Sequence, residues 1–259
     1  MTLYKHLLPR FLILLLILLF VDKSDYFAVS SNCWQTLVNG QTLSGWQGQD
    51  QSKPHEWQTA QAVSLDPQDN RFFVIEAGKG IFVNGKTGRT QNLVSQKKFG
   101  DVEVHIEFTV PHKSNSGIYL MGLYEVQVQD DFGTKNILFS TCGGFYARKL
   151  WDGINLDWQR DGKWIDGTPP LVNACKPPGI WQTFDVKFRT PRFNSSGRKI
   201  QNAKFIEVKH NGTLIHKNIE ILGPNSAHMP LIEAPQGPLM LQGDHGPVAY
   251  RNVRIRPLP

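Results

Sequence analysis

The segment richest in chemistry is Tyr124-Glu125-Val126-Gln127-Val128-Gln129-Asp130, where apolar and polar residues alternate. A strand with this period turns Tyr124, Val126 and Val128 to one side and Glu125, Gln127 and Gln129 to the other. A carboxylate and two amides in a row suit a polyol, whose hydroxyls need both donors and acceptors. Asp130 has the opposite parity and joins Glu125 only where a bulge or the strand end turns it. The second segment is Leu241-Gln242-Gly243-Asp244-His245-Gly246-Pro247, in which two glycines and a proline surround an amide, a carboxylate and an imidazole. With an ordinary pKa near 6.5, His245 is a candidate general base, metal ligand or hydrogen-bond donor. A lone His-Gly turn is also a common surface feature, so this segment gains meaning only beside Glu125.

Other candidates are more scattered. Asn115-Ser116-Gly117 ends a turn before the apolar run Ile118 to Met121. Arg251 shares a parity with Ala249, Val253 and Ile255, so it either reaches into a substrate face or packs its stem and pairs its head. Between Asp131 and Ile180 the rhythm breaks, and Trp151, Trp158 and Trp164 stand among Asp152, Asp157, Asp161 and Asp166. Indoles beside carboxylates suit sugar rings, because a pyranose face stacks on an aromatic plane. The same residues also fit a hairpin insertion with a small core of its own. The chain has no G-x-S-x-G elbow, P-loop, dinucleotide fingerprint or H-E-x-x-H, which disfavours serine hydrolases and cofactor-bound oxidoreductases.

The elements that must position these residues are strands. Val102, Val104, Ile106, Phe108 and Val110 alternate with Glu103, His105, Glu107 and Thr109, and Phe184, Val186 and Phe188 repeat the pattern. Asn211-Gly212 between Phe205 to His210 and Thr213 to His216 predicts a tight hairpin, since both residues tolerate positive φ. The 259 residues include 23 Gly and 16 Pro, and only 19% are charged, which argues against a helical bundle. Many short strands without long amphipathic helices predict a two-sheet antiparallel sandwich rather than a barrel. The net charge of +6 comes from scattered basic residues, so no nucleic acid partner is expected.

Lys5 and Arg10 precede an unbroken apolar run from Phe11 to Val21, followed by Ala28-Val29-Ser30. Residues 1–30 therefore read as a signal peptide, or as an N-terminal anchor if uncleaved, and residues 31–259 as one domain. The expected location is secreted or periplasmic, with membrane contact only through the uncleaved segment. Cys142 and Cys175 could bridge in an oxidising compartment or remain buried thiols.

The order of motifs resembles the 3-keto-disaccharide hydrolase family. It is carried by Leu43-Ser44-Gly45-Trp46, Phe99-Gly100-Asp101-Val102-Glu103-Val104, Asn115-Ser116-Gly117-Ile118-Tyr119-Leu120, Tyr124-Glu125-Val126-Gln127, Trp181-Gln182-Thr183-Phe184-Asp185, and Leu241 to Pro247 followed by Tyr250-Arg251-Asn252-Val253. The resemblance implies an exported, all-β, concanavalin- or laminin-G-like jelly roll that cleaves small carbohydrates already oxidised at C3. A ketone at C3 acidifies the C2 hydrogen, so a base can remove it and the C1 aglycone can leave by elimination, with water adding back. Under that resemblance Glu125 or His245 is the base, while Asn115, Gln127, Gln242, Arg251, Trp151 and Trp158 bind substrate. Asp130 and Asp244 are candidates for a divalent-metal site that would polarise the C3 carbonyl. Two rivals are a non-catalytic lectin-like module and an ordinary retaining glycosidase, the latter because Glu125-x-Gln127-x-x-Asp130 echoes the E-x-D-x-x-E strand of related jelly rolls. The Trp-rich insertion is longer than the family's usual loop.

Overall fold

In the computed structural model, which describes residues 33–38, 40–150, 163–225 and 230–258, every regular element is a β-strand. The larger sheet has eight strands, in the order β15 (Thr213–Ile221), β14 (Ala203–His210), β11 (Gln182–Arg189), β6 (Val102–Thr109), β17 (Ala249–Pro257), β4 (Phe73–Val83) and β3 (Gln58–Leu65). The eighth, β1 (Gln35–Val38), pairs with the far end of β17. The smaller sheet runs β2 (Trp46–Gly48), β5 (Leu93–Phe99), β16 (Gly237–Leu241), β7 (Asn115–Leu120) and β8 (Tyr124–Gln129). The pairings within both sheets are antiparallel.

Alternation decides which side chains face inward. In β6 and β11 every second residue is buried, so Val104, Ile106, Phe108, Phe184, Val186 and Phe188 project from the larger sheet. They share one core with Leu93, Ile118, Leu120, Tyr124, Val126, Val128, Leu239 and Leu241 of the smaller sheet. Each such burial stabilises by about 1.5–3 kcal/mol, which makes face-to-face closure of the two sheets the favoured packing. The expected sandwich is therefore the observed fold. The Asn211-Gly212 hairpin also forms, with φ of 51° and 81° between β14 and β15.

One strand departs from the simple period. In β17 the register slips between Arg251 and Arg254, with Asn252 at a φ of 48°. This bulge spends one residue, so Tyr250 and Val253 both reach the core while Arg251 turns to the other face. Arg251 Nε donates to Glu107 Oε2 at 2.6 Å, and its guanidinium lies 4.1 Å from the Trp181 ring centre. The expected substrate contact by Arg251 is corrected accordingly. It is a paired arginine on the larger sheet, because the bulge resets its parity.

The insertion begins and ends as a hairpin of β9 (Arg148–Leu150) and β10 (Lys163–Ile165). Phe139, Tyr146 and Trp164 pack together at its base, with ring centres 5.4–6.1 Å apart. Trp151 and Trp158, expected to bind sugar, lie outside the described residues, as do residues 1–30.

Candidate active site

Strand β8 is buried on both faces, which is unusual for a strand with a polar side. Tyr124, Val126 and Val128 enter the core, while Glu125 and Gln127 occupy the outer face and are still only 6% and 1% exposed. Across the β7–β8 ladder Tyr119 faces Glu125, Gly117 faces Gln127 and Asn115 faces Gln129. Gly117 leaves the space that the carboxyl group occupies: a Cβ there would lie 2.4 Å from Glu125 Oε1 and 2.8 Å from the Tyr119 ring. The backbone of Glu125 is fixed as well, since its N–H donates to Asn225 Oδ1 at 2.8 Å. Asn225 Nδ2 in turn donates to the Tyr146 carbonyl, tying β8 to the start of the insertion.

Burial pushes the Glu125 carboxyl up to about 8, against the Tyr119 hydrogen bond and the His245 charge that favour ionisation. At neutral pH it is mainly the neutral acid, able to donate a proton. Tyr119 is raised by burial and by the Glu125 charge, and Tyr146 is raised by the same two causes, so both hydroxyls keep their protons.

The loop between β16 and β17 brings in the second group. Gln242 N–H donates to the Gly117 carbonyl at 2.9 Å, and Ser116 Oγ donates to the Gln242 carbonyl. Asn84, fully buried, donates to the carbonyls of Gly243 and Gly246 and accepts from Val248 N–H, which clamps the loop from inside. Against this support His245 Nδ1 lies 2.6 Å from Asp244 Oδ1 and 3.0 Å from Gln242 Nε2. The Asp244 carboxylate raises the His245 pKa, partly opposed by desolvation, and draws the proton to Nδ1, in which state the Gln242 amide turns its oxygen rather than its NH2 to that nitrogen. That tautomer leaves Nε2 as the basic nitrogen. Arg89 holds the Asp244 carbonyl at 2.9 Å from the β4–β5 side.

A ladder of amides extends from the carboxyl group. Gln127 Nε2 and Asn115 Nδ2 both donate to Gln129 Oε1, and Gln129 Nε2 donates to Asp131 Oδ1. Gln127 Oε1 is buried and has no partner within the described residues. An orphaned acceptor of this kind costs about 1–3 kcal/mol, a cost that a ligand hydroxyl offsets.

The structure thus gathers Glu125, Gln127, Asn115, Gln242, Asp244 and His245, which the sequence had placed in distant segments. It does not gather Asp130 with them. Asp130 Oδ2 lies 2.9 Å from His112 Nδ1 and accepts from Lys113 N–H, because the strand ends there without turning the side chain toward Glu125. The expected metal role of Asp130 and Asp244 gains no support, since among the described residues neither belongs to a cluster of three converging ligands. Tyr119, Tyr146, Asn84 and Asn225 were not anticipated. Tyr119 had a signal, since it shares parity with Asn115 and Gly117 on a strand that must pair with β8. Tyr146, Asn84 and Asn225 come from segments without a period and carry none.

A search of curated proteins gave no match. Among solved structures, the fold is similar to a "putative glycosyl hydrolase" from Parabacteroides distasonis, with a TM-score of 0.59 and 26% identity over 87% of this chain and 84% of that one. A second protein of the same description and organism aligns with a TM-score of 0.52 at 16% identity, over 88% of this chain and 100% of that one, a likeness of fold. The family described as the 3-keto-alpha-glucoside-1,2-lyase-like domain matches residues 33–256, so the chain belongs to that carbohydrate-active family.

Proposed function

We propose that the protein cleaves glycosides whose glucose unit carries a ketone at C3, by elimination across C1 and C2 followed by hydration. The observation that carries this reading is the pairing of a buried carboxyl, raised to about 8, with an imidazole backed by a carboxylate. A buried carboxyl that keeps its proton can give it to a leaving oxygen, and an imidazole held at Nδ1 by a carboxylate can accept one at Nε2. His245 Nε2 takes the C2 proton, the electron pair forms the C1=C2 bond, and the C1–O bond breaks as Glu125 protonates the leaving oxygen. Water then adds at C1, losing its proton to Glu125, while His245 returns a proton to C2. We assign to Tyr146 the hydrogen bond that holds the enolate oxygen at C3, and to Gln127, Asn115 and Gln242 the sugar hydroxyls. No step runs through a metal.

A retaining glycosidase needs a second carboxyl about 5 Å from the first. Asp130 is engaged by His112, and Gln127 stands where the echoed motif has an acid, so the strand motif that suggested this rival lacks its second group. We place the reaction outside the cytoplasm on the strength of the apolar run Phe11 to Val21. The test is product identification with 3-keto-trehalose and with trehalose. The wild type is expected to release glucose and 3-keto-glucose from the first and nothing from the second, while Glu125→Gln and His245→Ala each lose about 10²–10⁴-fold in kcat. Equal cleavage of both sugars, or unchanged turnover in both variants, overturns the reading.

A further inference from the structure

We propose that Cys142, Cys175 and His210 form a zinc site behind the carbohydrate site and separate from its chemistry. Their ligand atoms, two sulfurs and a ring nitrogen, all lie within 4.8 Å of one another. A tetrahedral zinc with Zn–S bonds of about 2.3 Å sets its sulfurs roughly 3.8 Å apart, so small side-chain rotations complete the set. A soft donor set of this kind selects zinc over magnesium or calcium.

The imidazole supplies an independent observation. His210 Nε2 lies 3.0 Å from Gln182 Oε1, and that oxygen also accepts from Lys176 N–H at 2.9 Å, which fixes it as the acceptor end of the amide. Nε2 therefore carries the ring hydrogen, and Nδ1 presents a lone pair. Nδ1 is buried without a partner, in a residue that is fully buried. An imidazole whose second nitrogen donates to an amide oxygen is the arrangement that orients a metal-bound histidine. Phe108 and Phe184 pack on the ring, with centres 5.9 and 4.6 Å away, and hold its plane.

Both thiols are free, and Cys142 and Cys175 share a hydrogen bond. A disulfide between them has no hydrogen to give Nδ1 and leaves it orphaned, whereas a cation satisfies it. Binding releases the two thiol protons to solvent and forms two thiolates. Cys175 is partly exposed, which gives the ion an entry path and a water the fourth position. The ion would then join the chain after β8 to the end of β14 and to the segment entering β11. Gly143 and Gly144, next to Cys142, are backbone partners of Gln127, so the joint lies directly behind the amide ladder.

Cobalt(II) reports the ligands directly. The full chain, purified with reductant and stripped by chelator, is expected to bind a single Co²⁺ with tetrahedral d–d bands and a sulfur-to-cobalt charge-transfer band, all abolished by zinc. Cys175→Ser, at the partly exposed position where folding is least at risk, should remove about half of the charge-transfer intensity, since one of the two thiolates remains. Gln182→Ala should weaken zinc roughly 10- to 100-fold. Three outcomes overturn the proposal: cobalt binding without thiolate bands, zinc affinity unchanged in Cys175→Ser, or protein purified without reductant that holds a Cys142–Cys175 disulfide in place of metal.

Discussion

At the scale of single residues, the account rests on a carboxylic acid kept neutral by burial. The Glu125 pKa stands near 8 in the folded chain and at an ordinary value of about 4.5 in the unfolded one, so the folded state binds the extra proton between those limits. Stability from this group is therefore complete below about pH 4.5 and is lost as pH rises through about 8. Glu125→Gln, which cannot ionise, should be more stable than the wild type, by a margin that widens from pH 5 to 8. Denaturant midpoints measured across that range check this, and a constant margin contradicts it. Asp244 raises the His245 pKa, so Asp244→Asn should move the acidic limb of kcat/KM to lower pH and reduce its plateau. The pH–rate profile on a 3-keto-glycoside is the measurement, and an unmoved limb removes Asp244 from its role.

At the scale of elements, position comes from the β7–β8 ladder and two clamped loops. Gly117→Ala puts a methyl group against two side chains, the Glu125 carboxyl and the Tyr119 ring, rather than against backbone, so the fold absorbs it by displacing both. A displacement of about 1 Å at a reacting group costs on the order of 10²-fold. Gly117→Ala should therefore retain a native melting transition and lose about 10²-fold in kcat, and full activity would show that the carboxyl position is unimportant. Alternation made β6, β8 and β11 legible in the sequence, since a half-buried strand writes its inner face at every second residue. The same rule misled at Arg251, where one αL residue at Asn252 exchanges the faces and nothing in the residue types marks it. Asp130 was open for the same reason, because parity cannot say whether a strand end turns.

At the scale of the whole molecule, the sandwich is a rigid frame that leaves one face of its smaller sheet for chemistry. Buried amides do the joining: Asn84 clamps the His245 loop, Asn225 ties Glu125 to Tyr146, and the Gln129 ladder carries the polar row to Asp131. Two of these bonds, Asn84 to Gly246 and Glu125 to Asn225, link positions a hundred or more residues apart, which is why residue spacing could not reveal them. What spacing did reveal were the side chains themselves, Glu125 with its amides and the Gln242 to His245 turn. The central claim is that cleavage passes through loss of the C2 proton. Turnover of 3-keto-trehalose in heavy water, sampled early and compared with an enzyme-free control, tests it most directly. The account predicts solvent deuterium at C2 of the released 3-keto-glucose, and product that keeps its original C2 hydrogen would contradict it.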